Sequence, residues 1–118
     1  MNDFRKLEVW KKSKSFVLEI YKICNEFPPF ENFALASQMR RCSVSIPSNI
    51  AEGSSRNSNI DFSRFVLIAL GSAYELETQL EIAFELKYFD EKKYEELKNE
   101  LTQLQKMLYN LSSHLCKK

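Results

Sequence analysis

Seven apolar residues, Tyr94, Leu97, Leu101, Leu104, Leu108, Leu111 and Leu115, follow one another at intervals of 3, 4, 3, 4, 3 and 4, with Lys, Glu, Gln and Asn between them. Those intervals line up on one side of a helix, where positions recur every 3.6 residues, and scatter over both faces of a strand, where they recur every two. The segment is therefore an amphipathic helix carrying a heptad seam. Its start is also legible: Asp90 supplies an N-cap oxygen, Glu91 suits the positive end of the helix dipole, and Phe89 can close on Tyr94 as a hydrophobic staple. A helix with one apolar side has to bury it, so this one requires partners.

A second seam runs through Phe62, Val66, Ala69, Ala73, Leu76, Leu80 and Ala83, with Ser58 three residues before Asp61 as its cap, and predicts a helix over Asn59–Leu86. The stretch Phe65–Leu70 (FVLIAL) is apolar on every side for nearly two turns. Such a helix is covered on more than one face, and in so short a chain the simplest extra cover is another subunit, with Phe65, Ile68 and Leu70 as interface residues. Gly71, Ser72 and Ala73 form a small patch where a neighbouring backbone can come close.

Two further helices precede these. One, over Glu8–Glu26, puts Ser13, Phe16, Ile20, Ile23 and Phe27 on a stripe flanked by Trp10, Val17, Tyr21 and Cys24, and ends before Pro28 and Pro29. The other, over Asn32–Glu52, carries Leu35, Met39, Cys42, Ile46 and Ile50, with Gly53 placed for a left-handed C-cap. Pro47 inside it removes a backbone donor and predicts a bend or break near Ser43–Ile46, where Ser45, Ser48 and Asn49 can satisfy the freed groups. The short connections force antiparallel neighbours, so the expected fold is all-α: one domain over residues 1–118, an up-down-up-down four-helix bundle that joins other copies in a homo-oligomer. Composition agrees, since Gly 2 and Pro 3 make up about 4% of 118 residues against roughly 12% in an average chain, too few turns for an all-β fold.

The charges nearly cancel, 17 Lys and Arg against 16 Asp and Glu, which excludes a global field for nucleic acid or an anionic membrane. All five arginines, Arg5, Arg40, Arg41, Arg56 and Arg64, nevertheless lie in the first 64 residues. The odd set Cys24, Cys42 and Cys116 matches no disulfide framework or zinc spacing and points to a reducing compartment. With no signal peptide and no apolar run near membrane-spanning length, the expected location is cytoplasmic.

Catalysis needs a nucleophile, a base and an orienting group within reach of one another. His114 is the one histidine and sits near the end of the last helix, Cys42 falls on a core stripe, and the carboxylates lack the Glu-x-x-His pattern of di-iron bundles. No glycine-rich phosphate loop is present. The expectation is a protein that is not an enzyme, with no metal, no cofactor and no small-molecule substrate. The candidates left for recognition are basic: Lys11, Lys12 and Lys14 on the first helix, Arg40 and Arg41 on the second, and Arg56 and Arg64 around the loop into the third. Either they converge into a phosphate-binding surface or they are solvated side chains and partners of nearby carboxylates.

The segments QMRRCSVSIPSNIAEGSSRNS (Gln38–Ser58) and FSRFVLIALGSAYELETQLEIA (Phe62–Ala83), with FRKLEVWKKS (Phe4–Ser13) and FPPFENFALASQMRR, resemble the 23S rRNA intervening-sequence protein family, also called four-helix bundle proteins. The resemblance implies a bundle assembled as a ring-like homopentamer, genes lying inside intervening sequences of large-subunit ribosomal RNA, and an association with RNA. Related bundles serve diversity-generating retroelements as accessory factors that bind nucleic acid and a reverse transcriptase, which implies, as the alternative, a protein-interaction adaptor whose basic residues only pair structurally. Arg40 and Arg41 match the family's paired basic positions. Ser45, Asn49, Glu52 and Gly53 match its SIxxNIAEG signature around Pro47, and Gly71, Glu75 and Glu77 fall in its GSAxELET segment. The present chain is less basic than the accessory-factor branch.

Overall fold

In the computed structural model, residues 3–117 are described, and among them lie four α-helices, two short 3₁₀ turns and no strand. Helix α1 spans Glu8–Cys24, α2 Leu35–Ser54, α3 Asn59–Glu85 and α4 Glu91–Leu115. The two later helices begin where their local chemistry dictates. Ser58 Oγ accepts from the Asp61 amide at 3.1 Å, and an Asp90 carboxylate oxygen accepts from the Lys93 amide at 2.8 Å. Phe89 packs near Tyr94, which stacks on Phe84 with ring centroids 4.4 Å apart. The seam residues Leu97, Leu101, Leu104, Leu108 and Leu115 are buried, as are Phe62, Val66, Ala69, Ala73, Leu76, Leu80 and Ala83 of α3.

The first two helices are trimmed relative to expectation. Helix α1 stops at Cys24, and the chain turns through a 3₁₀ segment, Pro29–Phe33, before α2 begins at Leu35 rather than Asn32. The cause is Glu31, a buried carboxylate that accepts from the Leu35 amide at 3.3 Å and from the Tyr88 hydroxyl at 2.6 Å. One side chain thus serves the start of α2 and ties together the two connectors at that end.

Helix α2 packs on α1 and α3, α3 packs on α4, and the α1–α4 seam is the sparsest of the four. Where α3 meets α4, Ser63 near the start of α3 touches Ser112 near the end of α4, and Gln105 reaches Glu77 and the Ala73 carbonyl midway. Between α2 and α3, the Ser45 and Ser72 hydroxyls share a hydrogen bond, and Cys42 Sγ donates to the Ser72 carbonyl at 3.0 Å. Helix α2 runs on through Pro47, which is buried, and Asn49 Nδ2 donates to the Ser45 carbonyl at 2.8 Å just beyond the missing donor.

Two expectations are corrected, the cap role of Gly53 and the interface role of Leu70. No described glycine has a positive φ, and Gly53 is a helical residue rather than a left-handed cap. Its missing side chain serves packing: a Cβ there would lie 2.6 Å from Phe65 Cβ and 2.9 Å from Phe62 Cδ1, so nothing larger fits between α2 and α3. The left-handed position is taken by Lys87, at φ 67, which closes α3 with paired backbone bonds from Tyr88 to Ala83 and from Lys87 to Phe84. Leu70, expected at a subunit interface, is only 8% exposed and packs in its own core, because it turns towards the inner side of α3. These placements set two opposite signs. Gly53→Ala should lower stability by about 1–3 kcal/mol through overpacking, and Lys87→Gly should raise it by about 1 kcal/mol by relieving a side chain in the left-handed region, both read as shifts of the urea midpoint.

Candidate nucleic-acid interface

The seven basic residues occupy three separate places. Lys11 and Lys12 line a groove between α1 and α4 together with Ser15, Glu19, Glu100 and Gln103. Lys11 pairs with Glu8 at 3.4 Å, and Lys14 lies over the Trp10 ring at 4.7 Å, so neither is an isolated cation. The far end of this groove is acidic: burial and the neighbouring Glu19 raise the Glu100 carboxyl above its ordinary range. A phosphate entering here meets carboxylates beside the lysines.

Arg56 and Arg64 sit near the α2–α3 connection and are each engaged locally. Arg56 pairs with Glu52 at 3.9 Å and lies over the Phe65 ring at 4.7 Å, while Arg64 pairs with Asp61 at 3.5 Å. Exposed pairs of this kind hold their geometry weakly, worth about 0–1 kcal/mol, but each carboxylate offsets the positive charge beside it. Of the signature residues, Ser45 and Gly53 serve the α2–α3 seam described above, and Asn49 bonds the Ser45 carbonyl within α2. Glu77 Oε1 accepts from Gln105 Nε2 of α4 at 2.7 Å, and Glu75 Oε2 from Gln79 Nε2 at 3.3 Å. Gly71 is exposed, and a Cβ there would meet nothing within 4 Å.

Arg40 and Arg41 differ from Lys11, Arg56 and Arg64. Both line a groove of about 540 Å³ between α1 and α2, with Tyr21, Ser37, Val44 and Ser45 as its other walls. Among the described residues no carboxylate lies within 4.0 Å of either guanidinium. The Arg40 guanidinium lies 5.8 Å from the centre of the Tyr21 ring, which holds it over an aromatic face without neutralising it. Sequence reasoning placed Tyr21 beside the core stripe and gave it no part in a site; its signal was an aromatic at the border of an apolar face, where one edge stays wet. Two more aromatics escaped notice, Phe30 and Phe33, three residues apart in a proline-led connector.

Two of the three cysteines are inert by burial. Burial pushes the Cys24 thiol to about 11, and burial together with Glu75 pushes Cys42 to about 12. Cys116 is exposed. No set of three His, Cys, Asp or Glu side chains among the described residues is grouped to hold a metal ion, and no described helix is long and apolar enough to cross a membrane.

The bundle class defined by these helices narrows on comparison with known proteins. The sequence matches the family described as 23S rRNA-intervening sequence protein over residues 5–110, and the chain belongs to that family. A solved structure similar to it is a protein of unknown function from the S23 ribosomal protein family of Bacteroides thetaiotaomicron VPI-5482, with a TM-score of 0.82 and 29% identity, covering 89% of this chain and 95% of that one. Neither description names an enzymatic activity. No curated protein matches the chain.

Thiol chemistry checks the packing of this region. A disulfide reagent at pH 8 should modify one cysteine rapidly in the native protein and three after denaturation; rapid reaction of all three would show that the α1–α2 and α2–α3 seams are open. Because folding raises both buried thiols above their ordinary value of 9.0, the stability they contribute is complete below pH 9 and is lost as pH rises through about 11 and 12.

Proposed function

We propose that the protein is a non-catalytic, self-assembling four-helix bundle that holds RNA by its phosphates in the α1–α2 groove. The observation that carries this reading is the pair Arg40 and Arg41, two guanidinium groups in one groove with no carboxylate within 4.0 Å among the described residues. Arginine forks fit phosphate oxygens in pairs, and a local positive site needs no strongly basic chain if assembly repeats it. Membership of a family described by a ribosomal RNA intervening sequence supports RNA as the polyanion.

The same reading takes the helices as antiparallel in up-down-up-down order. In support, residues near the start of α3 meet residues near the end of α4, and Gly53 near the end of α2 meets Phe62 near the start of α3. It takes Pro47 as the place where α2 bends, since the Ser43 carbonyl there has no ladder donor. It takes the chain as one domain working in a reducing, cytoplasmic setting, which the three free cysteines support. Self-assembly into a ring is supported by the outer face of α3, where Leu67 is 49% and Ile68 53% exposed, with Ile60, Tyr74, Ile82 and Leu86 exposed along the same helix and its C-terminal cap and Gly71 among them. Phe65 is half-covered by its own bundle and by Arg56, so Leu67 replaces Leu70 in the proposed contact.

The test is retention of ribosomal RNA fragments as a function of salt. Wild-type binding should weaken steeply between low and physiological ionic strength, and Arg40→Gln with Arg41→Gln should flatten the slope of log affinity against log salt by about 0.7 for each phosphate left without its arginine. Lys11→Gln with Lys12→Gln should leave the slope close to wild type. Retention that ignores salt, or survives removal of both arginines unchanged, contradicts the proposal.

A further inference from the structure

Resting on the phosphate-binding reading above, we infer that the α1–α2 groove accepts single-stranded rather than duplex RNA, with unpaired bases stacking on Tyr21 and Phe33 while Arg40 and Arg41 hold the phosphates. The first observation is the composition of the groove itself. Its charged members are two uncompensated arginines, and its apolar members include Tyr21, 41% exposed, and Val44. Arg40 stands over one face of the Tyr21 ring, and the part of the ring left exposed beside it offers a nucleobase a flat apolar surface next to the guanidinium.

The second observation lies in the connector that leads into α2. The 3₁₀ turn Pro29–Phe33 joins α1 to α2, and its two phenylalanines are bare: Phe30 is 73% exposed and Phe33 98%. Residues three apart in a 3₁₀ helix eclipse one another, so the two rings leave the turn on one side. Phe33 stands four residues before the groove residue Ser37, which limits their separation to about 14 Å of extended chain. The connector is held in place by Glu31, which binds the Leu35 amide and the Tyr88 hydroxyl, so the rings are presented from a fixed turn. A core has no use for a phenylalanine with almost its whole surface in water.

Charge and shape together choose the occupant. The free guanidinium pair demands a polyanion, and the aromatic rings of the groove wall and of the connector before α2 demand flat apolar faces; unpaired RNA alternates the two. In a duplex the bases are already stacked on one another and turn only phosphates and sugars outward, leaving these rings without partners.

The experiment measures the affinity of the full chain for labelled oligouridine and for oligouridine paired with oligoadenosine of the same length, at low salt. The single strand should bind more tightly than the duplex. Tyr21→Ala and Phe33→Ala should each weaken single-strand binding about tenfold without changing the salt slope, and Tyr21→Phe should restore it. Phe33→Ala touches an exposed ring, and unchanged circular dichroism and melting would show the variant folded. Equal affinity for duplex, or full affinity in both alanine variants while the double arginine variant still weakens binding, overturns this inference and leaves the phosphate reading in place. If neither RNA binds at low salt, the phosphate reading is overturned, and this inference with it.

Discussion

Helix α3 is the element on which the others rest, because both α2 and α4 pack along it. The closest approach is at Gly53, where the absence of a Cβ lets the end of α2 come down onto Phe62 and Phe65. From that point the α2–α3 seam continues through small polar contacts, Ser45 with Ser72 and Cys42 with the Ser72 carbonyl, which satisfy buried polar groups without adding bulk. The opposite flank of α3 meets the heptad seam of α4, joined by Gln105 to Glu77 and by Ser63 to Ser112. A helix held this closely on its inner side has no freedom to rotate its outer side inward, which is why Leu67 and Ile68 stay in water.

That constraint also organises the opposite part of the molecule. With α2 fixed against α3 by Gly53, the other flank of α2 faces α1 and opens the groove in which Arg40 and Arg41 stand beside Tyr21. The connector that closes this side is pinned from two directions by Glu31. Two surfaces of different chemistry result: an exposed apolar stripe on α3, and a groove walled by α1 and α2 in which two arginines stand beside an aromatic ring. Arg56 and Arg64, equally cationic in the sequence, are excluded from the groove by their place at the other end of α2 and by their local carboxylates.

What could be read in the chain was what local chemistry decides. The heptads of α3 and α4 and the Ser58 and Asp90 caps all depend on residues within a turn of one another, and each is found where its spacing put it. What escaped depends on contacts far apart in sequence. The role of Gly53 is set by Phe62 and Phe65, the start of α2 by a carboxylate that also answers to Tyr88, and the burial of Leu70 by a core that periodicity alone cannot orient within an all-apolar run. Lys87 could not be anticipated in a left-handed conformation that sequence reasoning reserves for glycine. For the site, the adjacency of Arg40 and Arg41 was legible and their partner Tyr21 was not, because which side of α1 faces α2 is a tertiary fact.

The central claim is that the apolar outer face of α3 is covered by other copies of the chain, so that the groove acts as one of several. Sedimentation of the purified protein at micromolar concentration measures this most directly. The account predicts a single species several times heavier than the 13.9 kDa chain, and Leu67→Glu with Ile68→Glu should return it to one chain with its helices intact. A folded wild-type particle that sediments as a lone chain would contradict the claim.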